Sequence, residues 1–224
     1  MTTGGGQATK VVVVTGQTGT GKSTVCSWLA QRGAFVLDAD RIGHELLRRE
    51  EIVLRLSETF STSVLRDDGQ IDRSRLGEIV FADPQALRAL NALVHPPLVR
   101  ELRARIEKLA RTRAAELIVV DAALHFVFPD RLECDAVILT KTSPTIQLQR
   151  IMERDGIAEE SARERLERQR EILEHEGEAD YVLDTSASPS QVRRELLLNM
   201  DALLGTSLVL SDPFAPHRQP EVER

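Results

Sequence analysis

A run of β-branched residues that passes directly into a glycine-rich loop is the feature that most constrains how this chain can fold. Val11 to Val14 form the run, and residues 16–23 read Gly-Gln-Thr-Gly-Thr-Gly-Lys-Ser, which fits the pattern G-x-x-x-x-G-K-[ST]. Helical periodicity follows from Ser23 to Gln31. A strand, this loop and a helix in that order predict a cradle in which backbone N–H groups at a helix N-terminus surround phosphate oxygens.

The loop contains the residue types that a nucleotide phosphate requires. Its glycines, Gly16, Gly19 and Gly21, let backbone N–H groups turn inward. Lys22 reaches the β- and γ-phosphates, and Ser23 can ligate Mg²⁺. The loop therefore predicts a site for a nucleoside triphosphate together with its magnesium ion.

Four further short apolar runs predict four more strands, at residues 34–37, 117–120, 136–139 and 181–183. Helical patterns separate them, which predicts an α/β fold with a doubly wound, five-stranded parallel sheet. Residues 41–113 have apolar side chains at helical spacing and no convincing strand, so we expect a helical insertion there. Residues 159–178 carry many charges of both signs, which favours a solvated helix or, alternatively, a lid over a phosphate site.

The composition favours a small-molecule partner. The 224 residues carry a net charge of -6, so no overall positive field draws the chain to nucleic acid or to an anionic membrane. No apolar run approaches the ~18 residues of a membrane span, and the first residues lack the apolar segment of a signal peptide. Cys26 and Cys134 form no zinc or disulfide pattern, which fits a reducing cytosol. We therefore expect a cytoplasmic protein without a nucleic-acid or membrane partner.

Acidic residues follow two strands at the sheet edge where the loop is expected. Asp38 and Asp40 come after the second strand, where an aspartate often caps the next helix. A carboxylate at this edge could also accept a proton from an attacking hydroxyl or hold Mg²⁺ through water. We assign the chemical role to Asp40, and to Asp38 either the helix cap or the support of the strand end. Asp121 closes an apolar strand, which predicts either a Mg²⁺ ligand of the Walker-B type or a structural carboxylate.

Arginines supply cations for a transferred phosphoryl group. Arg150 and Arg154 are four residues apart, on one face of a helix predicted to begin after Pro144. Four more arginines follow between residues 163 and 170. Phosphoryl transfer requires such cations, and the alternative for each residue is a solvated arginine paired with a nearby glutamate.

Taken in order along the chain, these motifs resemble those of the dephospho-coenzyme A kinase family. The likeness extends from about residue 10 to residue 194. Beyond the glycine loop and the Asp38 to Asp40 segment, the matching positions are His44, residues 70–73, 76–81 and 93–96, Gln147 to Arg150, Arg154, Asp155, Gln169 and residues 179–184.

The resemblance implies a P-loop kinase that uses ATP and Mg²⁺ to phosphorylate the 3′-hydroxyl of dephospho-CoA, giving CoA and ADP in the last step of coenzyme A biosynthesis. It implies strand order 2-3-1-4-5 within a single kinase domain at residues 10–205. An acceptor-binding helical insertion at about 41–113 and a helical lid at about 150–176 would belong to this domain. Residues 1–9 would form a disordered N-terminus and residues 206–224 a loose tail. A monomer is expected.

The resemblance also assigns roles to matching positions. Asp40 is then the general base, and Lys22 and Arg150 steady the phosphoryl group. The acceptor side is formed by Asp40, Arg73 and His95, and the metal ligands are Ser23 and Asp121. The ATP-binding residues implied are Gly16, Gly19, Thr20, Gly21, Lys22, Ser23, Thr24 and Arg154.

Three positions differ from the usual pattern of the family. Residues 123–127 replace a Pro-Leu-Leu-aromatic-Glu run, His175 stands where a basic residue is usual, and Thr185 stands where asparagine is common. These differences fall near the acceptor and the lid, and they leave two alternatives open. One is a kinase of the same architecture that acts on another nucleoside or small alcohol. The other is a catalytically inactive, phosphate-binding regulatory homologue.

Overall fold

The computed structural model describes residues 8–112, 114–128 and 130–204, apart from the side chain of Asp201. The chain separates into two compact units, and each is described by itself. The described residues of the first unit lie within the ranges 1–37, 106–127 and 132–224, and those of the second unit within 38–105 and 128–131. The tail expected at residues 206–224 lies outside the described residues, as does the expected disordered N-terminus except for Ala8 and Thr9.

A five-stranded sheet is the centre of the described part of the first unit. Its order is β2-β3-β1-β4-β5, which confirms the order implied by the family resemblance. The register of β1 with β3 and β4, and of β4 with β5, is parallel. The strands are β1 (Lys10–Thr15), β2 (Phe35–Asp38), β3 (Leu117–Asp121), β4 (Ala136–Lys141) and β5 (Tyr181–Asp184).

The strands form where the sequence has uninterrupted apolar residues. Val12, Val13 and Val14 are completely buried, because helices cover both faces of a parallel sheet and leave no solvated side. Each predicted strand is present, with bounds shifted by one or two residues. Because β3 extends to Asp121, this carboxylate belongs to the end of the strand.

Helices surround this sheet, and their ends follow local capping chemistry. Ser143 caps α6 by accepting a hydrogen bond from the backbone N–H of Ile146, and Gly156 ends the helix in a left-handed conformation. The helices of the first unit are α1 (Lys22–Ala30), α6 (Pro144–Asp155), α7 (Glu159–Arg168), α8 (Glu171–Glu174), α9 (Pro189–Leu204) and the end of α5 (Pro84–Thr112), with 3-10 turns at His125–Val127 and Glu176–Glu178.

The second unit is helical, as predicted for the insertion. It contains α2 (Ala39–Leu46), α3 (Glu50–Phe60), a 3-10 turn (Thr62–Val64), α4 (Arg73–Ala82) and most of α5. Its own core is built on Ile52, Leu56, Val64 and Leu76, all nearly inaccessible to solvent. The unit also includes residues 128–131, a segment that the sequence pattern did not assign to it.

The charged segment at residues 159–178 departs from the prediction of one solvated helix. It is divided into α7, α8 and a 3-10 turn, and Ala162 and Ile172 are buried within it. Helix α7 ends at Arg168, and the backbone carbonyls of Leu166 and Gln169 accept hydrogen bonds from the side chain of Gln17. The segment is therefore attached to the glycine loop. Among the described residues, no helix is long and apolar enough to cross a membrane.

Candidate active site

The glycine loop between β1 and α1 follows a path that side chains would block. Gly16 has a φ of +136° and Gly19 a φ of +79°, values that residues with a Cβ rarely adopt. A Cβ on Gly16 would lie 2.5 Å from the backbone oxygen of Thr140, and one on Gly19 would lie 2.8 Å from Cγ1 of Ile151. The loop is thus pressed against β4 and α6, and glycine is required at both points.

Hydrogen bonds inside the loop fix its polar side chains. The hydroxyl of Thr20 is buried, donates to the carbonyl of Gln17 at 2.8 Å and lies 2.7 Å from the hydroxyl of Thr140. Lys22 Nζ donates to the same Gln17 carbonyl at 3.0 Å, so the ammonium group folds back over the loop. Lys22 thus puts a positive charge beside the loop at the N-terminus of α1, an arrangement that suits an anion.

Ser23 and Asp121 meet beside the glycine loop. Val14, near the end of β1, pairs in register with Asp121 of β3, so the carboxylate stands beside the start of the loop. Ser23 Oγ donates to Asp121 Oδ2 at 3.4 Å. A hydroxyl and a carboxylate are hard oxygen donors, and Mg²⁺ is usually held by only one or two such groups while phosphates and water complete its octahedron. The pair fits that ion. Within the described residues no cluster of three or more metal-ligating side chains occurs.

Arg150 lies at the wall of a cleft next to the loop. Its Nη1 donates to the hydroxyl of Thr185 at 3.0 Å, and its Nη2 donates to the backbone carbonyl of Thr185, also at 3.0 Å. The cleft has a volume of about 180 Å³. Its lining is formed by Gly21, Thr24, Val25, Trp28, Arg150, Thr185, Ala187, Pro189 and Val192. An apolar cleft with a few polar groups, continuous with a phosphate cradle, suits a nucleobase.

Arg154 contacts the loop from the next turn of α6. Its Nη2 donates to the hydroxyl of Thr18 at 3.0 Å. Asp155 accepts hydrogen bonds from both Arg154 and Arg165, and these bonds, the one from Arg154 above all, lower the pKa of its carboxyl below the usual range. The sequence analysis offered glutamates as alternative partners of the arginines, whereas Arg154 pairs with Asp155 while it remains beside the loop.

Three glutamines join the loop to α6 and to the lid segment; we call them the glutamine clasp (Gln17, Gln147 and Gln169). Gln17 Nε2 donates to the carbonyl of Gln169, and Gln169 Oε1 accepts from the backbone N–H of Thr18 at 2.6 Å. Gln147 Nε2 donates to the carbonyl of Thr18 and to Gln17 Oε1. The tip of the loop is consequently bound on two sides by neutral amides.

Farther along the lid, His175 has partners of its own. Its Nδ1 lies 2.5 Å from Glu178 Oε1, and its ring stacks on Phe126 with centroids 5.5 Å apart. Phe126 belongs to the residue 123–127 segment that differs from the family pattern. The two differing segments are therefore in contact with each other in this chain.

The second unit holds the acceptor-side candidates. Asp38 caps α2 by accepting a hydrogen bond from the backbone N–H of Arg41 at 2.9 Å, which confirms the capping role predicted for it. Asp40 lies in the first turn of the same helix and is exposed. Arg73, the first residue of α4, has its Nη2 2.7 Å from Nε2 of His44.

His95 occupies a different kind of environment in this unit. It is buried in α5 and packs edge-on against Phe128, with ring centroids 5.1 Å apart. Burial lowers its pKa below the ordinary value of 6.5, so its ring is neutral at pH 7.

Sequence reasoning missed several residues of the site. Gln17 stands at an unspecified position of the loop pattern, and Thr185 stood out only as a difference from the family. Trp28, the single tryptophan of the chain, lines the cleft. Its rarity in a chain with 4% aromatic residues was a signal that could have drawn attention to it.

The first strand of the parallel sheet leads into a glycine loop that suits a triphosphate. An arginine-bearing segment that follows the fourth strand contacts this loop. Together these features define a P-loop kinase. The model of the family described as dephospho-CoA kinase matches residues 10–191. This chain therefore belongs to the dephospho-CoA kinase family.

Individual relatives agree with this assignment. The dephospho-CoA kinase of Syntrophotalea carbinolica is 34% identical over 87% of this chain and 92% of its own length. That of Cutibacterium acnes is 38% identical over 82% of this chain and 81% of its own. Among solved structures, TT1252 from Thermus thermophilus is 29% identical with a TM-score of 0.72 and covers 88% of this chain and 98% of its own. Dephospho-CoA kinase from Campylobacter jejuni is 28% identical with a TM-score of 0.56, over 87% and 97%.

Proposed function

We propose that this enzyme transfers the γ-phosphoryl group of ATP to the 3′-hydroxyl of dephospho-CoA, producing CoA and ADP in the last step of coenzyme A biosynthesis. The observation that carries the proposal is the family match across residues 10–191. This range includes the glycine loop, Asp40, Asp121, Arg150 and Arg154. Relatives named as dephospho-CoA kinases support it, because they align with this chain over most of their length.

In this proposal the first unit binds ATP. Backbone N–H groups of the loop and Lys22 bind the β- and γ-phosphates, and Arg150 and Arg154 add positive charge around the triphosphate. Charge on the phosphoryl oxygens is then balanced by fixed groups that need no rearrangement during transfer, which is the largest contribution an enzyme makes to this reaction. The cleft beside Trp28 receives the nucleobase.

Ser23 and Asp121 hold Mg²⁺ in this scheme. When bound, the ion neutralises charge on the phosphate oxygens. The 3.4 Å contact between the two side chains supports this assignment, because two oxygens this close together can ligate the same ion. Asp121 is thus proposed as a metal ligand.

The second unit supplies the groups for the acceptor. Asp40 accepts the proton of the acceptor hydroxyl. Both Asp38 and Asp40 are exposed, but the carboxylate of Asp38 is engaged as a helix cap, which supports the choice of Asp40. Arg73 provides a cation for an anionic part of the acceptor, and His95 provides a neutral imidazole that can donate or accept a hydrogen bond.

We also propose that the enzyme acts as a cytoplasmic monomer on small molecules. In the described part of the chain, neither Cys26 nor Cys134 forms a disulfide bond, which is usual in a reducing compartment. The negative net charge argues against nucleic acid as a partner.

The test is an ADP-release assay with purified protein, ATP, Mg²⁺ and a panel of acceptors that includes dephospho-CoA, other nucleosides and small alcohols. The K22A variant serves as the control for contaminating kinases. We expect dephospho-CoA to give the highest kcat/KM, with CoA as the product detected by mass spectrometry. Preference for another acceptor would contradict the proposed substrate, and ATP binding without ADP release for any acceptor would indicate the regulatory homologue.

A further inference from the structure

Thr185 connects Arg150 to the glycine loop through one buried hydroxyl. The residue directly follows β5 and is only 6% exposed. Its Oγ1 donates to the backbone carbonyl of Thr20 at 2.8 Å and accepts from Arg150 Nη1 at 3.0 Å. Because the single hydroxyl proton is directed to Thr20, the lone pairs of the oxygen are left facing the guanidinium.

The backbone of Thr185 is fixed as firmly as its side chain. Its N–H donates to the carbonyl of Lys141 at 2.8 Å, and its own carbonyl accepts from Arg150 Nη2 at 3.0 Å. Two nitrogens of one guanidinium therefore bind two oxygens of one residue, which sets the plane of the guanidinium as well as its position. A free arginine side chain samples many rotamers, and this forked contact removes most of that freedom before a ligand arrives.

We infer that Thr185 is a positioning residue for nucleotide binding: it holds Arg150 in the cleft beside the loop, ready for ATP. The inference rests on the proposed function only in taking ATP as the ligand. Arg150 lines the cleft together with Gly21, Thr24 and Trp28, so a change in its orientation alters the surface that the nucleotide meets. The family resemblance gives no account of this threonine, since asparagine is common at its position.

The experiment compares T185V, which removes the hydroxyl at nearly constant volume, with T185S, which keeps it. T185A is a second hydroxyl-free variant in case valine does not fit. The readout is the Kd for Mg²⁺-ATP, measured without acceptor from the fluorescence of Trp28, the single tryptophan in the cleft. We expect T185V and T185A to raise Kd by about 5–10-fold, the effect of losing a hydrogen bond to a charged group when water partly replaces that bond. The Kd of T185S should stay within about twofold of the wild-type value.

The same change in an R150A background separates positioning from a general structural effect. If Thr185 acts through Arg150, T185V raises Kd by less than about twofold once Arg150 is absent, because the two effects are then not additive. Equal losses in both backgrounds, a T185S protein as weak as T185V, or hydroxyl-free variants that bind like wild type would each overturn the inference. Since no acceptor is used, failure of dephospho-CoA as a substrate would contradict the proposed function and leave this measurement intact.

Discussion

Replacement of Gly16 by alanine is expected to damage the loop more than the same replacement at Gly19 or Gly21, where the added Cβ meets its nearest neighbour at a longer distance. The new Cβ would lie 2.5 Å from the backbone oxygen of Thr140 and 2.7 Å from its hydroxyl. Thr140 belongs to β4, which pairs with β1 and β5, so its backbone cannot move away without disturbing the sheet. The φ of +136° adds strain of about 1–3 kcal/mol, and forcing a methyl group into a filled space adds about 1–3 kcal/mol more.

These contributions sum to roughly 2–6 kcal/mol of lost unfolding free energy. In a chain of this size each kcal/mol lowers Tm by about 2–4 °C, so G16A should melt roughly 4–24 °C below wild type by differential scanning calorimetry. The matched control is G77A, because Gly77 lies inside α4 and a Cβ there meets no atom within 4 Å. Alanine favours a helix interior by about 0.5–1 kcal/mol, so G77A should melt slightly higher. A Tm of G16A equal to that of wild type would refute the reasoning.

Three further predictions concern the proposed roles and the pH dependence of stability. K22A should lower phosphoryl transfer by ~10² or more while its circular dichroism spectrum and Tm stay close to wild type; wild-type turnover would contradict the role of Lys22. D40N should lower kcat by ~10²–10⁴ with the Kd for ATP nearly unchanged. D38A should mainly lower the unfolding free energy, by about 1 kcal/mol, through loss of the α2 cap. The reverse pattern would show that Asp38 is the general base and Asp40 the residue needed for stability. Burial lowers the pKa of His95, so the unfolded chain binds a proton at this residue more readily than the folded chain does. His95 therefore makes the unfolding free energy fall as the pH drops below ~6.5, and it does not change the unfolding free energy above that pH. Urea titrations between pH 7.5 and 5 should show a flatter profile for H95Q, and identical profiles would exclude this contribution.

Much of the fold was predictable because its strands are buried on both faces. Such strands appear as continuous apolar runs, as Val11 to Val14 do, and the loop pattern specifies the turn and the helix after the first of them. The meeting of Ser23 with Asp121 was also foreseeable, since parallel strands bring their carboxyl ends to one edge. The capping role of Asp38 followed from its position before a helix.

Other features leave no local signal in the sequence. Gln17 and Gln169 are far apart in the chain, and hydrogen bonds from their side-chain amides to the backbone of residues 169 and 18 produce neither a helical nor a strand period. The division of the charged segment into α7 and α8 lies at these contacts, which the pattern that predicted a single helix does not contain. The forked contact of Arg150 with Thr185 depends on the same kind of long-range placement, as does the inclusion of residues 128–131 in the second unit.

The glutamine clasp has one property that the neighbouring arginines lack: it carries no charge. Amide hydrogen bonds from Gln17 and Gln147 do not titrate, and salt does not screen them as it screens the exposed ion pairs of Asp155. Acid that protonates Asp155, or high salt, therefore weakens one attachment of the lid segment and leaves the other in place. The lid segment is therefore attached at two points. The contacts of the glutamine clasp at the loop tip do not respond to ionic conditions, whereas the pair of Asp155 with Arg165, in the last turn of α7, does.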